Sequence, residues 1–323
     1  MKNVAITLSF ILGALLSGAG FGKSIAQFEM DLYDSERERP IKLNIWYAAK
    51  ADCQSVLKCV DSNTESPNVV VMSHGAMGSV RSMNWIAYPL AARGYVVIGV
   101  NHFGESWVYG QENINPAAAL KLWERPKDIS VALNQLAKQS PFDKALNLSD
   151  VLAVGFSSGG STVLSLAGAK YQYDLARKHC EKHAKIDLSC RYTQERHLPD
   201  LPREAYGSFK DKRITRVIAL DPAAGHITKA ESLKIMDSKV LVFGLKNGDF
   251  LPIEHHAAFY QQNIPHSKLE TLNGQEGHFV FQDSCQLKIN VHGIPLCEDK
   301  AGVNRKLAQK KSVNTVLEFL KNS

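Results

Sequence analysis

The chain has 323 residues, of which 45% are apolar and 22% charged, with a formal net charge of +6. Those proportions belong to a globular protein that can bury a substantial core, and no repeat or low-complexity tract is present. The excess of Lys and Arg falls in residues 170–216 and after Lys300 and reads as solvated surface. No aromatic-basic interleaving accompanies it, so a nucleic-acid partner is not expected.

The first residues are set apart from the rest. Lys2 precedes an apolar run from Val4 to Leu16, and the small residues Ser17, Gly18 and Ala19 follow. This is the layout of a secretory signal peptide, and the run is short for a membrane span. Cleavage after Ala19 or after Ala26 fits, giving a signal over residues 1–26 and one domain over 27–323. The first cysteine is Cys53, too far on for a lipid anchor. An exported protein, periplasmic or secreted and without stable membrane insertion after cleavage, is therefore expected. The cysteines agree: Cys53 and Cys59, Cys180 and Cys190, and Cys285 and Cys297 form three close pairs. An even count in an exported chain reads as disulfides, and local pairing is the simplest scheme. None of the pairs is a Cys-x-x-Cys or has a His at metal-ligand spacing, so neither a metal nor another cofactor is expected.

In chain order, FEMDLYD and PIKLNIWYA alternate apolar and polar residues and predict an antiparallel pair of half-buried strands. NVVVMSHG and YVVIGV are Val-rich and apolar on both faces, as strands of a covered parallel sheet are. Helices are predicted over Asn84 to Arg93, stopping at Gly94, and over Arg125 to Gln139. Asp150 to Phe156 reads as a buried strand and Ser158 to Lys170 as the helix after it. Residues 171–212 are polar and basic, carry Cys180 and Cys190, and read as an insertion over the active-site edge, a candidate lid, before the sixth strand. ITRVIAL and KVLVFGL resume the strand pattern, followed by a helix over Ile253 to Gln262, a short strand at LETL, and a last helix over Asn304 to Lys321. Strands alternating with helices predict an α/β fold with a doubly wound, mainly parallel sheet.

The most informative stretch is Gly155-Phe156-Ser157-Ser158-Gly159, at the end of a buried strand and the start of a helix. A Gly-x-Ser-x-Gly turn in that place is a nucleophile elbow, with glycines where a Cβ would crowd the neighbouring backbone. Ser157 is then the nucleophile of a serine hydrolase. The loop Ser73-His74-Gly75-Ala76-Met77-Gly78 follows the first parallel strand. In this architecture that loop and the residue after the nucleophile supply the oxyanion donors, here the amides of Ala76 and Ser158. Of 11 histidines, His278 is preferred as base. It lies on a turn after the last short strand and follows both the serine and the acid, the chain order of this architecture. His255 and His256 on a predicted helix, His179, His183 and His197 in the insertion, and His292 in the last cysteine loop read as surface. His74 and His102 follow sheet strands and could line the cleft. Two aspartates compete for the acid, and Asp249, in a turn after KVLVFGL, is preferred to Asp221 in Ala219-Leu220-Asp221-Pro222.

The segments VVVMSHGAMGS, LAARGYVVIGVNHFG, ERPKDISVALNQL, VLAVGFSSGG and EGHFVF resemble those of bacterial predicted dienelactone hydrolases, α/β-hydrolases related to platelet-activating-factor acetylhydrolase. The resemblance spans about residues 27–290, and Arg125, Pro126 and Asp128 are its more specific part. It implies a carboxylic-ester hydrolase without metal or cofactor, acting on a small-molecule or lipid-like ester. Dienelactone hydrolases carry a cysteine nucleophile where this chain has Ser157, so their substrate is not carried over. An aminopeptidase or amidase on the same scaffold, and an inactive binding protein of this fold, are the rival readings.

Overall fold

The computed structural model describes residues 23–194 and 201–322. The signal-like segment with its Ala19 cleavage option, and His197, lie outside them. Ala26, the other cleavage option, stands inside the first strand and pairs with Tyr47.

Eight strands form one sheet: β1 (Ile25–Asp34), β2 (Arg39–Ala48), β3 (Asn68–Ser73), β4 (Val96–Asn101), β5 (Asn147–Phe156), β6 (Ile214–Leu220), β7 (Lys239–Leu245) and β8 (Ser267–Leu272). Their order is β1-β2-β4-β3-β5-β6-β7-β8. β1 and β2 form the expected antiparallel hairpin, β2 runs antiparallel to β4, and every pairing from β4 to β8 is parallel. The helices are α1 (Asn84–Ala92), α2 (Glu124–Lys138), α3 (Ser158–Leu166), α4 (Leu175–His183), α5 (Cys190–Gln194), α6 (Ala230–Leu233), α7 (Ala257–Asn263) and α8 (Arg305–Lys321).

The uninterrupted apolar strands follow from burial on both faces. Val69 and Val71 of β3 and Ala153 of β5 join Ile129 and Leu133 of α2, Val163 of α3 and Tyr260 of α7 on one side. Their sequence neighbours Val70, Met72 and Val154 turn to the other side, against Ile86 and Leu90 of α1 and Val316 of α8. Period-two alternation of side chains thus feeds two cores from one run of valines.

Three expectations shift. The strand predicted from Asp150 begins at Asn147, and the helix predicted to Lys170 ends at Leu166, where Gly168 takes φ 125°. The helix predicted over Ile253 to Gln262 splits into a short 3-10 turn, Ile253–His255, and α7, because His256 leaves helical geometry at φ −129°, ψ −95°. The insertion carries α4 and α5, and its Tyr171, Tyr173, Ala176 and Ala205 make a small separate core with Trp123 and Ile227. The disulfides are Cys53–Cys59, Cys180–Cys190 and Cys285–Cys297, the local scheme. Each closes a short loop, worth about 2–3 kcal/mol in chain entropy. Among the described residues no helix is long and apolar enough to cross a membrane.

Candidate active site

Sheet register places the serine. Ser73 of β3 pairs with Gly155 of β5, and Phe156 of β5 pairs with Leu220 of β6. The next residues, Ser157 and Asp221, therefore leave adjacent strands at the same level, with the His74–Gly78 loop on the other flank. Ser157 takes φ 55°, ψ −118°, a left-handed-side conformation that a residue with a Cβ rarely adopts. The turn is held by Ser157 N–H donating to the Leu220 carbonyl at 3.0 Å and Ala223 N–H donating to the Ser157 carbonyl at 3.0 Å. The two motif glycines are steric necessities. A Cβ on Gly155 would sit 2.0 Å from the Gly159 carbonyl oxygen, and one on Gly159 would sit 2.0 Å from that of Ser73.

His278 opens a 3-10 turn, His278–Phe281, beyond β8. Its Nε2 lies 3.0 Å from Ser157 Oγ and its Nδ1 lies 2.6 Å from Asp221 Oδ2. The ring is wedged between aromatic neighbours, stacked on Phe250 at 4.8 Å and tilted against Phe156 at 4.7 Å. Ser157 is 8% exposed, His278 2% and Asp221 1%, so exposure falls along the relay from the serine inward.

The preference for Asp249 is corrected here. Its Oδ1 accepts the backbone N–H of His278 at 2.9 Å, its Oδ2 pairs with Lys300 at 3.0 Å, and it does not reach the imidazole ring. The reason is register: Asp221 comes directly after the strand that neighbours the serine strand, whereas Asp249 lies one strand further out and four residues past the end of β7. Asp249 holds the histidine turn; Asp221 meets the histidine.

The helix start at Ser158 and the loop that holds Gly75 and Ala76 flank Ser157. Neither the Ser158 nor the Ala76 amide has a backbone acceptor among the described residues. The loop that carries Ala76 is fixed from below. Arg125, fully buried, donates to the His74 carbonyl at 2.8 Å and forms a two-point pair with Glu105, Nε to Oε1 at 2.8 Å and Nη2 to Oε2 at 2.9 Å. Burial pushes the Glu105 carboxyl up, but the Arg125 charge and hydrogen bonds and the Met77 backbone outweigh it and hold Glu105 below the usual carboxylate range. The same motif's Asp128 accepts from Arg37 at 2.8 Å, Arg39 at 2.7 Å and His102 at 2.9 Å. Asp128 thereby ties the β1–β2 hairpin to the strand end at His102.

His74 and His102 are buried rather than cleft-lining. Of the histidines read as surface, His256 is also fully buried and His179 and His183 are half-buried. Sequence reasoning did not single out Glu105, Arg37, Arg39 or the Phe250 ring. Nothing marks an isolated Glu or Phe as a clamp before the fold brings its partner up.

No family model matches this chain, and no curated protein matches it. Solved structures do. A ferulic acid esterase from Streptomyces cinnamoneus superposes with a TM-score of 0.62 at 16% identity, covering 95% of this chain and 91% of that one. A predicted CIB-like hydrolase from Thermoplasma acidophilum gives a TM-score of 0.50 at 13% identity, covering 93% of this chain and 100% of that one. With its strand order, its parallel sheet flanked by helices, and these likenesses along nearly its whole length, the chain has the α/β-hydrolase fold.

Proposed function

We propose that the protein is an exported serine carboxylic-ester hydrolase of the dienelactone hydrolase and platelet-activating-factor acetylhydrolase type. One observation carries the reading: the unbroken relay from Ser157 Oγ through His278 to Asp221, at 3.0 and 2.6 Å, on a strained elbow. Ser157 Oγ attacks the ester carbonyl while His278 Nε2 takes its proton. Asp221 orients the ring and stabilises its charged form. The Ala76 and Ser158 amides hold the oxyanion, each worth about 3–4 kcal/mol in the transition state. As the tetrahedral intermediate collapses, the ester C–O bond breaks and His278 returns the proton to the leaving alcohol. Water, deprotonated by the same ring, then attacks the acyl-enzyme, releasing the acid and restoring the Ser157 hydroxyl.

A small-molecule or lipid-like ester is the substrate class, in keeping with a fold shared with a ferulic acid esterase. Three disulfides favour an oxidising compartment. Removal of the leader after Ala19 would leave β1 whole, whereas cleavage after Ala26 would cut into it. The test is labelling of the purified protein with a fluorophosphonate, peptide mapping, and turnover of acyl esters of graded length. Label on Ser157 with ester turnover is expected. No label, or label elsewhere, overturns the reading.

A further inference from the structure

His278 has a polar partner at each ring nitrogen, Asp221 at Nδ1 and Ser157 at Nε2, and aromatic rings packed against it. Phe250 lies nearly parallel to the imidazole, with 19° between the planes and 4.8 Å between the centroids. Phe156 approaches at 4.7 Å with a tilt of 36°, and it belongs to the serine strand itself. Phe250 instead comes from the loop after β7, next to Asp249, whose carboxylate takes the His278 backbone N–H. Two consecutive residues thus hold the histidine, one by its backbone and one by its ring.

Phe250 is itself held in place. It is 5% exposed, its carbonyl accepts the Leu188 N–H at 2.9 Å, and Phe279 packs edge-on at 5.8 Å. Leu188 belongs to the insertion and follows Asp187, which is completely buried. Asp187 Oδ2 accepts from His179 Nε2 at 2.8 Å and from His256 Nε2 at 2.9 Å, and the His179 ring stacks on His226 at 4.5 Å. The insertion is therefore pinned to the loops after β6 and β7, and through Leu188 it fixes the ring beside the histidine.

A leucine at 250 would also fill that space with apolar atoms. A phenyl ring adds the negative face of its π system, which attracts a cation within about 6 Å of the ring centroid. A general base is neutral before the reaction and is a cation while it holds the serine's proton. An attraction that strengthens with that charge lowers the barrier rather than the ground state. We propose that Phe250 is a positioning residue of this site, whose π face stabilises the imidazolium that forms on His278. The inference rests on the reading of His278 as the base that takes the Ser157 proton. Asp221 faces the ring at Nδ1, Asp249 with Lys300 behind it at 3.0 Å faces only the backbone amide, and His292 stands 6.1 Å from Phe250. Substituting residue 250 leaves each of these groups unaltered, so a changed pH profile reports the phenyl ring.

The experiment uses the whole mature protein. kcat/KM for a soluble acyl ester is measured against pH for wild type, Phe250→Leu and Phe250→Tyr, with fluorophosphonate labelling of Ser157 in parallel. In Phe250→Leu the plateau should fall about tenfold, and the acid limb, where the base of the free enzyme is protonated, should move about one unit to lower pH. The two profiles then converge on the acid side. Phe250→Tyr keeps the π face and should stay within a few-fold of wild type with an unmoved limb. Phe250→Met gives the same reading as leucine should that variant fail to fold. A loss of rate with an unmoved acid limb assigns Phe250 to packing alone and overturns the proposal, as does an unchanged kcat/KM or a tyrosine variant that behaves like leucine. Wild type with neither label nor turnover removes the reading of the site itself, whereas an active, labelled wild type beside an unshifted leucine variant removes only this inference.

Discussion

Two Ser–His–Asp relays stand on this sheet, and they differ in setting. At the end of β5, Ser157 meets His278 and Asp221. At the end of β3, two strands away from β6, Ser73 Oγ lies 2.9 Å from His102 Nε2, and His102 Nδ1 lies 2.9 Å from Asp128 Oδ2. The distances nearly match, yet the second relay is sealed: Ser73 and His102 are 0% exposed and Asp128 1%. Its carboxylate is shared with Arg37 and Arg39, and Arg125 stands 3.4 Å from the Ser73 hydroxyl. A chain of hydrogen bonds therefore does not by itself single out the proposed nucleophile. Access, a strained elbow and unpaired amides beside the hydroxyl separate the two relays.

The largest expected contrast comes from the serines themselves. Ser157→Ala should lower kcat by about 10⁶-fold while leaving the fold intact, since the hydroxyl projects from a turn rather than from the core. Ser73→Ala should leave turnover within a few-fold of wild type and cost about 1–3 kcal/mol in stability by orphaning a buried His102 nitrogen. Ester assays and urea denaturation on both variants check this. Loss of turnover on the Ser73 side would reverse the assignment.

The acids come next. Asp221→Asn should cut kcat by about 10⁴-fold, because the imidazole loses the partner that fixes its tautomer and stabilises its charge. Asp249→Asn should cost far less, through a loosened hydrogen bond to the His278 amide. Steady-state kinetics of the pair decides between them, and equal losses would make the histidine turn as important as the histidine's acid.

Beneath the first relay, Glu105→Gln leaves the Arg125 charge buried without its counter-ion. Breaking such a pair from one side costs about 3–5 kcal/mol. The Ala76 loop should loosen with it, since Arg125 holds the His74 carbonyl. Thermal denaturation with a parallel measurement of kcat/KM tests both parts, and a variant as stable as wild type would show that Arg125 does not depend on Glu105.

How much of this was legible in the sequence depended on the range of the signal. The elbow is written in five consecutive residues, because backbone crowding dictates the glycines locally. The parallel sheet is written in valine runs, since burial on both faces removes the polar alternation. His278 was legible from chain order. The acid was not, because Asp221 and Asp249 both follow apolar strands and only the pairing of β5 with β6 brings one of them to the ring. The sealed relay was illegible for the same reason: Ser73, His102 and Asp128 come from three separate elements and carry no motif that distinguishes packing from catalysis. His179 and His183, a helix turn apart, were visible as a pair, but their meeting with His226 and Asp187 is tertiary.

The smallest effect separates the relays by charge. Burial, then Arg125, Arg39 and Arg37, hold the His102 imidazole well below its usual range. His74 is held down by burial, Arg125 and His102, with its Nδ1–H donating to the Gly75 carbonyl at 2.6 Å and its Nε2 accepting the His102 amide at 3.1 Å. Both rings therefore stay neutral in the folded protein. The unfolded chain takes up their protons near pH 6.5 and the folded chain does not, so acid favours unfolding. Stability should be unaffected by these two rings above about pH 7.5 and should fall below it, by about 1.4 kcal/mol for each ring at pH 5.5. Denaturant unfolding at pH 8 and pH 5.5, with proton uptake followed on unfolding, measures the sum over these two rings together with His226 and His255, which burial and neighbouring imidazoles also hold down. Ring-proton NMR assigns it: the His102 resonance should not move between pH 8 and pH 5. A titration of His102 inside that interval would mean that its ring can carry charge in the fold, leaving access, the elbow and the amides to separate the two relays.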